Sequence, residues 1–202
     1  MCPEPPLAPA SKDHLLQRGT GPTQQAYLDL TSGARHQAVY CPDLIWGACQ
    51  IPEYARAVLR SVADLHQLPD DIEAGLDARL ARARYLGEAY RTHDVLLGEQ
   101  ALLTAIEPAV MRAQLRHLLE VLDRPGLTVT VIPARARLRV YPGGGFTIYD
   151  GSRVETEGYA GPHTITGPDG VTLFQRAFDL LRDSAQGAPA ARDFITCALR
   201  LI

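Results

Sequence analysis

Five side chains in the sequence could act as general acids or bases, and they lie in three stretches. Glu99 opens GEQALL, Glu155 and Glu157 alternate with Thr156 in RVETEGY, which ends at Tyr159, and His163 follows Gly-Pro. Carboxylate, phenol and imidazole groups can all transfer protons in a reaction. The candidate catalytic residues are therefore Glu99, Glu155, Tyr159 and His163.

Each of these residues also has a structural explanation. Glu99 precedes a short apolar stretch that predicts a helix, and a carboxylate stabilises the N-terminal end of a helix dipole. Glu155 and Glu157 are two residues apart in a predicted strand, so both point to the same face, which could be solvated. A histidine in a Gly-Pro-His turn suits a surface or capping position. The sequence leaves both explanations open.

No complete catalytic or metal-binding signature accompanies these residues. The chain lacks GxSxG, HExxH and an ordered Ser/His/Asp set, and its four cysteines (Cys2, Cys41, Cys49 and Cys197) form no CxxC pair. Structural zinc sites normally use such pairs. We predict no metal and no cofactor, and we expect Cys41 and Cys49 to be small buried apolar residues.

The triplet Gly143-Gly144-Gly145 could suggest a phosphate-binding loop. Such loops lie between a strand and a helix N-terminus. Here the residues that follow, Phe146 to Tyr149, predict a strand instead. The glycines therefore indicate a turn or bulge where backbone segments approach closely.

Three arginines alternate with apolar residues just before this triplet, in ARARLRVY. Alternation in an extended segment would place all three guanidinium groups on one side. They could form a solvated face, or they could clamp an anion or carboxylate. The three are Arg135, Arg137 and Arg139.

Arg79 and Arg82 lie on a predicted helix together with Asp77 and Arg84. We expect them at the helix surface or in ion pairs with Asp77 or Glu99. Ligand contact is the alternative, and Arg82 is included among the candidate ligand-binding residues.

The single tryptophan, Trp46, lies in a loop between a predicted strand and a predicted helix. Aromatic residues near strand ends could line an apolar cleft with a few polar groups, which is the usual form of a small-molecule site. An aromatic part of the core is the alternative. The candidate ligand-binding residues are Tyr40, Trp46, Tyr54, Arg82, Arg137, Tyr141, Phe146 and Tyr149.

Hydrophobic periodicity predicts the elements that would position these residues. Strands are expected at Arg35–Tyr40, His93–Leu97 and Leu127–Ile132, then at Phe146–Tyr149, in SRVETEGY as an edge-like strand, and in GPHTIT. Helices are expected at Thr23–Leu30, from Pro52, from Asp70 to about Tyr85, in GEQALLTAI, in EPAVMRAQLRHLLEVL, in GPDGVTLFQRAFDLLRDSA and from about Ala190 to Leu201.

Helices come before and after a group of short strands, without an evident βαβ alternation. This order predicts an α+β fold in which amphipathic helices pack on a small, mainly antiparallel sheet. We expect residues 1–22, which are rich in proline, to be a disordered tail, and residues 23–202 to be a single domain.

The bulk properties argue against two classes of partner. A formal net charge of -3 is unlike that of proteins that bind nucleic acid through phosphate contacts. No signal peptide is apparent, and no apolar stretch approaches the roughly 20 residues that span a bilayer. We expect a cytoplasmic protein without direct contact to nucleic acid or membrane.

Several segments occur in an order that resembles a known family. The chain is similar to the actinobacterial domain of unknown function that follows an XRE-type helix-turn-helix in Streptomyces-like regulators. The likeness extends over about Thr23 to Ile202. The segments that carry it are ARHQAVYCP with IPEYARAVLR, RLARARYL, GEQALL, MRAQLRHLLEV, LTVTVIPARARLRVYPGGGFTIYDG, RVETEGY and FQRAFDLLRDSA.

The resemblance implies an effector or interaction domain of a regulator of development or antibiotic biosynthesis. We expect it here without the helix-turn-helix, since the residues before Thr23 are too few to form one. LIWGACQ (residues 44–50) and Ala83 depart from the family pattern and imply an altered pocket. The expected ligand is a small apolar or weakly anionic molecule; a small partner protein and a homo-oligomer are further alternatives.

Two functions remain open on this basis. The first is a free-standing effector-type domain of secondary metabolism that binds a small molecule. The second is a cofactor-independent biosynthetic enzyme, of cyclase or isomerase type, that uses the same apolar pocket to position a natural-product intermediate.

Overall fold

A sheet of six strands forms the centre of the computed structural model, which describes residues 18–104 and 106–202. The strands are β1 His36–Cys41, β2 Thr92–Gly98, β3 Leu127–Ile132, β4 Phe146–Tyr149, β5 Arg153–Gly158 and β6 Gly161–Ile165. The helices are α1 Thr20–Gly33, α2 Pro52–His66, α3 Ile72–Ala81, α4 Pro108–Val121, α5 Pro168–Arg182 and α6 Ala188–Leu201. Short 3₁₀ helices occupy Gly47–Cys49, Arg82–Tyr85 and Glu99–Leu102.

The sheet has a parallel half and an antiparallel half, in the order β3-β2-β1-β4-β5-β6. The β1–β2 and β2–β3 pairs are parallel, and the β1–β4, β4–β5 and β5–β6 pairs are antiparallel. The predicted α+β class with a mainly antiparallel sheet is confirmed.

The expected lack of βαβ alternation is wrong. Helices α2 and α3 connect β1 to β2, and α4 connects β2 to β3. Parallel neighbours require such crossovers. These crossovers are difficult to recognise in the sequence because β1 and β2 are short and two helices separate them.

The strand register assigns each side chain to one of two sheet faces. Val39, Val95 and Val129 share a face and pack in a core with residues of α4 and α6. Ala38 and Leu96 lie on the opposite face, where they pack against residues of α5. The predicted alternation of Leu127, Val129 and Val131 against Thr128, Thr130 and Ile132 agrees with this arrangement.

The Arg-rich segment between β3 and β4 is a loop that bends, and it does not have the extended conformation that we considered for its three arginines. Residues 133–145 contain no strand, and the amide of Ala134 donates to the Glu99 carboxylate at 2.7 Å. A turn closed between Pro133 and Ala136 bends the chain, so the three arginines do not share one side of a strand. The glycines end this loop as predicted: Gly143 has a φ of 58°, and a Cβ at Gly145 would lie 3.1 Å from the Tyr40 carbonyl oxygen.

Other boundaries differ in detail. β5 lies between β4 and β6, so it is not an edge strand. The helix expected in GEQALLTAI is a single 3₁₀ turn, Glu99–Leu102. Helix α1 begins at Thr20, so residues 20–22 do not belong to the predicted tail; the earlier part of that tail prediction lies outside the described residues.

Helix α1 begins three residues before the predicted start at Thr23, because Asp71, the residue directly before α3, binds its first amides. The Asp71 carboxylate accepts hydrogen bonds from the amides of Thr20 at 2.8 Å and Gly21 at 2.7 Å, and from the Thr20 hydroxyl. These amides have no partner within their own helix, and a carboxylate there also complements the helix dipole. The two helices approach closely at Gly75, where a Cβ would lie 2.5 Å from the Thr20 hydroxyl oxygen.

The other end of α1 is held by a buried arginine. The Arg91 guanidinium donates to the carbonyl of Thr31 at 2.8 Å, to that of Ser32 at 2.7 Å and to that of Ala34. It also forms an ion pair with Glu88 at 2.6 Å and lies over the ring of Tyr85, 4.6 Å from the centroid. A carboxylate therefore accepts hydrogen bonds from the N-terminal amides of α1, and a guanidinium group donates to its C-terminal carbonyls. Both groups come from distant segments of the chain.

Asp71→Asn should lower the stability of the protein at neutral pH by about 1 kcal/mol, the usual contribution of an N-terminal cap. Burial alone would raise the pKa of Asp71, but the hydrogen bonds from Gly21 and Thr20 outweigh it and lower the pKa below its ordinary value of 3.8. A depressed pKa means that the stabilisation is complete above 3.8 and disappears as the pH falls through the folded-state value.

Urea denaturation from pH 7 down to pH 3 measures this difference. The gap between wild type and variant should narrow at the acid end. Asp70→Asn is the matched control, because the Asp70 side chain is 80% exposed and its change should stay within about 0.5 kcal/mol. Equal effects of the two substitutions would contradict the capping role of Asp71.

Candidate functional site

A cleft of about 200 Å³ opens between the helices and the tip of the β5–β6 hairpin. One wall is the side of α1 that carries Thr20, Gln24 and Tyr27, and Arg79 of α3 lies beside it. Helix α2 contributes an apolar wall, and hairpin residues 157–159 and 161–162 close the remaining side. We call this space the α1–hairpin cleft.

Two buried guanidinium groups lie behind the α1 wall. Arg79 and Arg82 are each only 8% exposed. Gln24 Oε1 accepts hydrogen bonds from Arg79 Nε at 3.0 Å and from Arg82 Nη2 at 2.8 Å. Arg79 Nη1 also donates to Gln50 Oε1 at 3.1 Å. One neutral amide oxygen is therefore the shared hydrogen-bond acceptor of two positively charged groups.

The expectation that Arg79 and Arg82 lie on the helix surface or pair with Asp77 or Glu99 is wrong. Asp77 is exposed, and the Glu99 carboxylate accepts from the Ala134 amide instead. The buried stripe of α3 runs through Ile72 and Leu76, and Arg79 continues it at the next position of the helical period. This spacing indicates that Arg79 is buried. The charge of arginine argued against that interpretation, because arginine is rarely buried without a partner.

The electrostatics of this pair of guanidinium groups are unfavourable. Burial, followed by the like charge of Arg82, lowers the pKa of Arg79 to about 10. Burial also lowers the pKa of Arg82. In the described part of the chain neither guanidinium forms a salt bridge, and Glu157 at the cleft is the carboxylate that acts on both.

Tyr27 adds an unsatisfied hydroxyl to the same wall. Its side chain lines the cleft and is 6% exposed, and its hydroxyl has no hydrogen-bond partner among the described residues. Burial, and then the negative charge of Glu157, raises the pKa of Tyr27. The hydroxyl therefore stays protonated at neutral pH and is available as a donor.

The aromatic candidates do not form the single cleft that we expected. Tyr40 and Phe146 pack together with a ring-centroid distance of 5.6 Å in the core that faces α5. Trp46 and Tyr54 are buried in the core on the other face. Trp46 lies 5.4 Å from the ring of His93, and the Ile45 amide donates to the Tyr54 hydroxyl at 3.3 Å.

None of the eight candidate ligand-binding residues lines the cleft; Arg82 contacts it indirectly, through its hydrogen bond to Gln24. Burial raises the pKa of Tyr149 to about 12, and the nearby positive charge of Arg82 acts in the opposite direction. Arg137 is exposed in the loop of residues 133–145, and Tyr141 in the same loop is 83% exposed. Neither residue lines the cleft.

The four candidate catalytic residues are also dispersed. Glu155 is buried in an ion pair with Arg153 at 2.7 Å, and the Thr164 hydroxyl donates to it. Tyr159 lies at the hairpin tip, lines the cleft and is 89% exposed. His163 is exposed on β6 opposite Thr156, on the sheet face away from Glu155.

No group of three or more His, Cys, Asp or Glu side chains within residues 18–104 and 106–202 is arranged to hold a metal ion. No helix of that same part of the chain is both long enough and apolar enough to cross a bilayer.

Residues 24–197 match the model of one protein family, described as a domain of unknown function (DUF5753). The chain belongs to this family. The matched range contains the Arg79–Arg82 pair, Gln24, Tyr27 and Glu157, so the α1–hairpin cleft lies almost entirely within the family domain. No functionally curated protein matches the chain.

Two solved structures show a distant likeness. The first is Nuc, a phospholipase D family member from Salmonella typhimurium: TM-score 0.45, 10% identity, covering 81% of this chain and 88% of that one. The second is TrmBL2, an archaeal chromatin protein that binds DNA: TM-score 0.40, 13% identity, covering 85% of this chain and 51% of that one. With TM-scores below 0.5, neither supports a functional assignment.

Gln24→Glu should stabilise the protein, because it gives the two guanidinium groups the counter-charge that they lack. Hydrogen bonds to a charged acceptor are roughly twice as strong as neutral ones, so we expect a gain of about 1 kcal/mol in the free energy of unfolding. Gln24→Leu removes the shared acceptor and should destabilise the protein by about 2 kcal/mol or more. Thermal and urea denaturation at pH 7 measure both changes.

Gln25→Glu is the matched control, since Gln25 is the exposed neighbour on α1 and bonds only Asp29. It should produce no gain in stability. A loss of stability in Gln24→Glu would show that the guanidinium pair is already compensated in the folded protein.

Proposed function

We propose that this domain binds a small molecule in the α1–hairpin cleft and acts as an effector-type binding domain. The observation that carries the proposal is the composition of the cleft. It joins an apolar wall to a small number of polar groups, which is the usual form of a small-molecule site.

The wall on α2 is mainly apolar, with Leu59, Val62 and Leu65 beside two polar residues, Ser61 and His66. Leu65 is 59% exposed, which is high for a leucine on a helix that packs against two others. Across the cleft, the polar wall is formed by α1 and Arg79. A ligand that fits between the walls would cover apolar surface on one side and satisfy donors on the other.

The wider context of the proposal rests on the resemblance to regulator domains noted from the sequence. A domain of this family that responds to a metabolite would suit regulators of actinobacterial secondary metabolism. The net charge of -3 favours a role that needs no nucleic-acid contact by this chain. We propose a cytoplasmic protein that exerts its effect through its ligand or through a partner protein.

Binding is better supported than catalysis by this geometry. The four side chains considered for acid–base chemistry lie in different places, and Tyr159 alone among them lines the cleft. Catalysis by positioning would still use the same cleft, so the enzyme hypothesis makes the same prediction about where a ligand binds.

Leu65→Trp should fill the cleft mouth and abolish ligand binding while leaving the fold intact, since Leu65 is largely exposed. The measurement is a thermal-shift screen of wild type and variant against a library of anionic, neutral and cationic metabolites. Compounds that raise the melting temperature of the wild type should have no effect on the variant.

Leu173→Trp is the matched control. Leu173 is a leucine on α5 with a similar exposure of 65%, and it does not line the cleft. This variant should keep every wild-type response. If Leu65→Trp also keeps them, the binding site lies elsewhere; if no compound stabilises the wild type, the proposed binding function is wrong.

A further inference from the structure

The proposed binding function leaves the class of ligand open, and the donors of the cleft define it. We infer that the α1–hairpin cleft recognises a small monocarboxylate with an apolar body, whose carboxylate oxygens accept hydrogen bonds from Arg79, Gln24 and Tyr27. This inference rests on the proposed function and specifies its ligand.

The first argument is the set of unused donors. Among the described residues, Arg79 Nη2 donates no hydrogen bond, because its Nε and Nη1 atoms make the bonds to Gln24 and Gln50. Gln24 Oε1 faces the two guanidinium groups, so Nε2 of the same amide points away from them and also donates to no described residue. The Tyr27 hydroxyl is the third unused donor.

All three donors belong to side chains that line the cleft and are more than nine-tenths buried. Although the Glu157 carboxylate also lines the cleft, three donors without a hydrogen-bond partner favour a ligand group that only accepts hydrogen bonds. A carboxylate meets this requirement, because its two oxygens only accept and a guanidinium group can bind them in its own plane.

The second argument is the charge balance at this wall. Arg79 and Arg82 carry two positive charges, and Glu157 is the carboxylate that acts electrostatically on both. One positive charge is left uncompensated in a poorly solvated position. A single negative charge on the ligand would balance it, whereas a dianion such as a phosphate monoester would leave an excess of negative charge beside Glu157.

The third argument is the opposite wall. Leu59, Val62 and Leu65 provide no hydrogen-bonding side-chain atoms, so the part of the ligand that faces these three residues must be apolar, although Ser61 and His66 of the same helix also line the cleft. The cleft is small, at about 200 Å³, which suits a compact aromatic or a short aliphatic acid. The two walls together describe an amphipathic monoanion.

Isothermal titration calorimetry with the full chain tests the inference. The probes are phenylacetate and octanoate, their uncharged matches phenylacetamide and octanamide, and inorganic phosphate. We expect at least one carboxylate to bind at least about tenfold more tightly than its amide, because the amide loses charge-assisted hydrogen bonds. Phosphate should not compete with it.

Two variants locate the interaction. Arg79→Gln should weaken carboxylate binding by about tenfold or more and should abolish the preference for the acid over the amide. Tyr27→Phe removes a hydroxyl that has no hydrogen-bond partner among the described residues, so it should leave the melting temperature unchanged or raised while it weakens carboxylate binding several-fold. The second variant keeps the test valid if Arg79→Gln does not fold.

Arg116→Gln and Tyr141→Phe are the controls, since both residues are exposed and lie outside the cleft. Both should bind the carboxylate as the wild type does. Acid and amide binding equally well, each blocked by Leu65→Trp, would overturn the carboxylate inference and leave the binding function intact. Phosphate binding with loss in Arg79→Gln would overturn the monocarboxylate in favour of a phosphorylated ligand. No binding by either acid would also overturn the inference.

Discussion

The docking of α1 on α3 is the contact on which the rest of this site depends. Asp71 accepts the first amides of α1, and the two helices approach at Gly75, which has no side chain to separate them. One turn further along each helix, the same approach brings Gln24 against Arg79. The cleft wall is therefore set by a contact at one end of the cleft, where Thr20 meets Asp71 and Gly75. Asp71 and Gly75 do not line the cleft themselves, yet a change at either position would move Gln24 relative to Arg79.

This contact also explains why two like charges can be buried side by side. An isolated guanidinium group in the interior is strongly disfavoured, and a second one beside it is worse. Here the hydrogen bonds to Gln24 and Gln50 satisfy part of each group, and α1 is fixed at both ends, so the pair cannot relax by displacing the helix. The burial of these two like charges is unfavourable for stability. The apolar cores on either side of the sheet compensate for this loss. Such local conflict with stability is common where a protein must bind something.

The sequence predicted the fold class and most of the elements because these depend on local patterns. Alternation in LTVTVI and helical spacing in MRAQLRHLL reflect burial on one face, and the structure places those residues accordingly. The parallel pairing of β1 with β2 could not be predicted in this way, since register and partner choice depend on contacts across 56 positions of chain, as between His36 and Thr92. The candidate residues chosen from the sequence are dispersed in the structure for the same reason. Tyr40 and Trp46 are close in sequence, but they pack in different cores. Tyr40, on β1, lies in the core that faces α5, and Trp46, in the following loop, lies in the core on the other face of the sheet. Gln24 and Arg79 meet only because two helices that are distant in sequence pack together.

The position of Trp46 gives the protein an internal optical probe. It is the single tryptophan of the chain, it is buried, and its ring lies against His93. His93 is hydrogen-bonded to Gln37, whose amide donates in turn to the Thr31 hydroxyl on α1. Burial lowers the pKa of His93, so its imidazole is neutral at physiological pH and has no positive charge to quench the indole. A chain of contacts through His93, Gln37 and Thr31 therefore connects this one fluorophore to α1, so a displacement of that helix should change its emission.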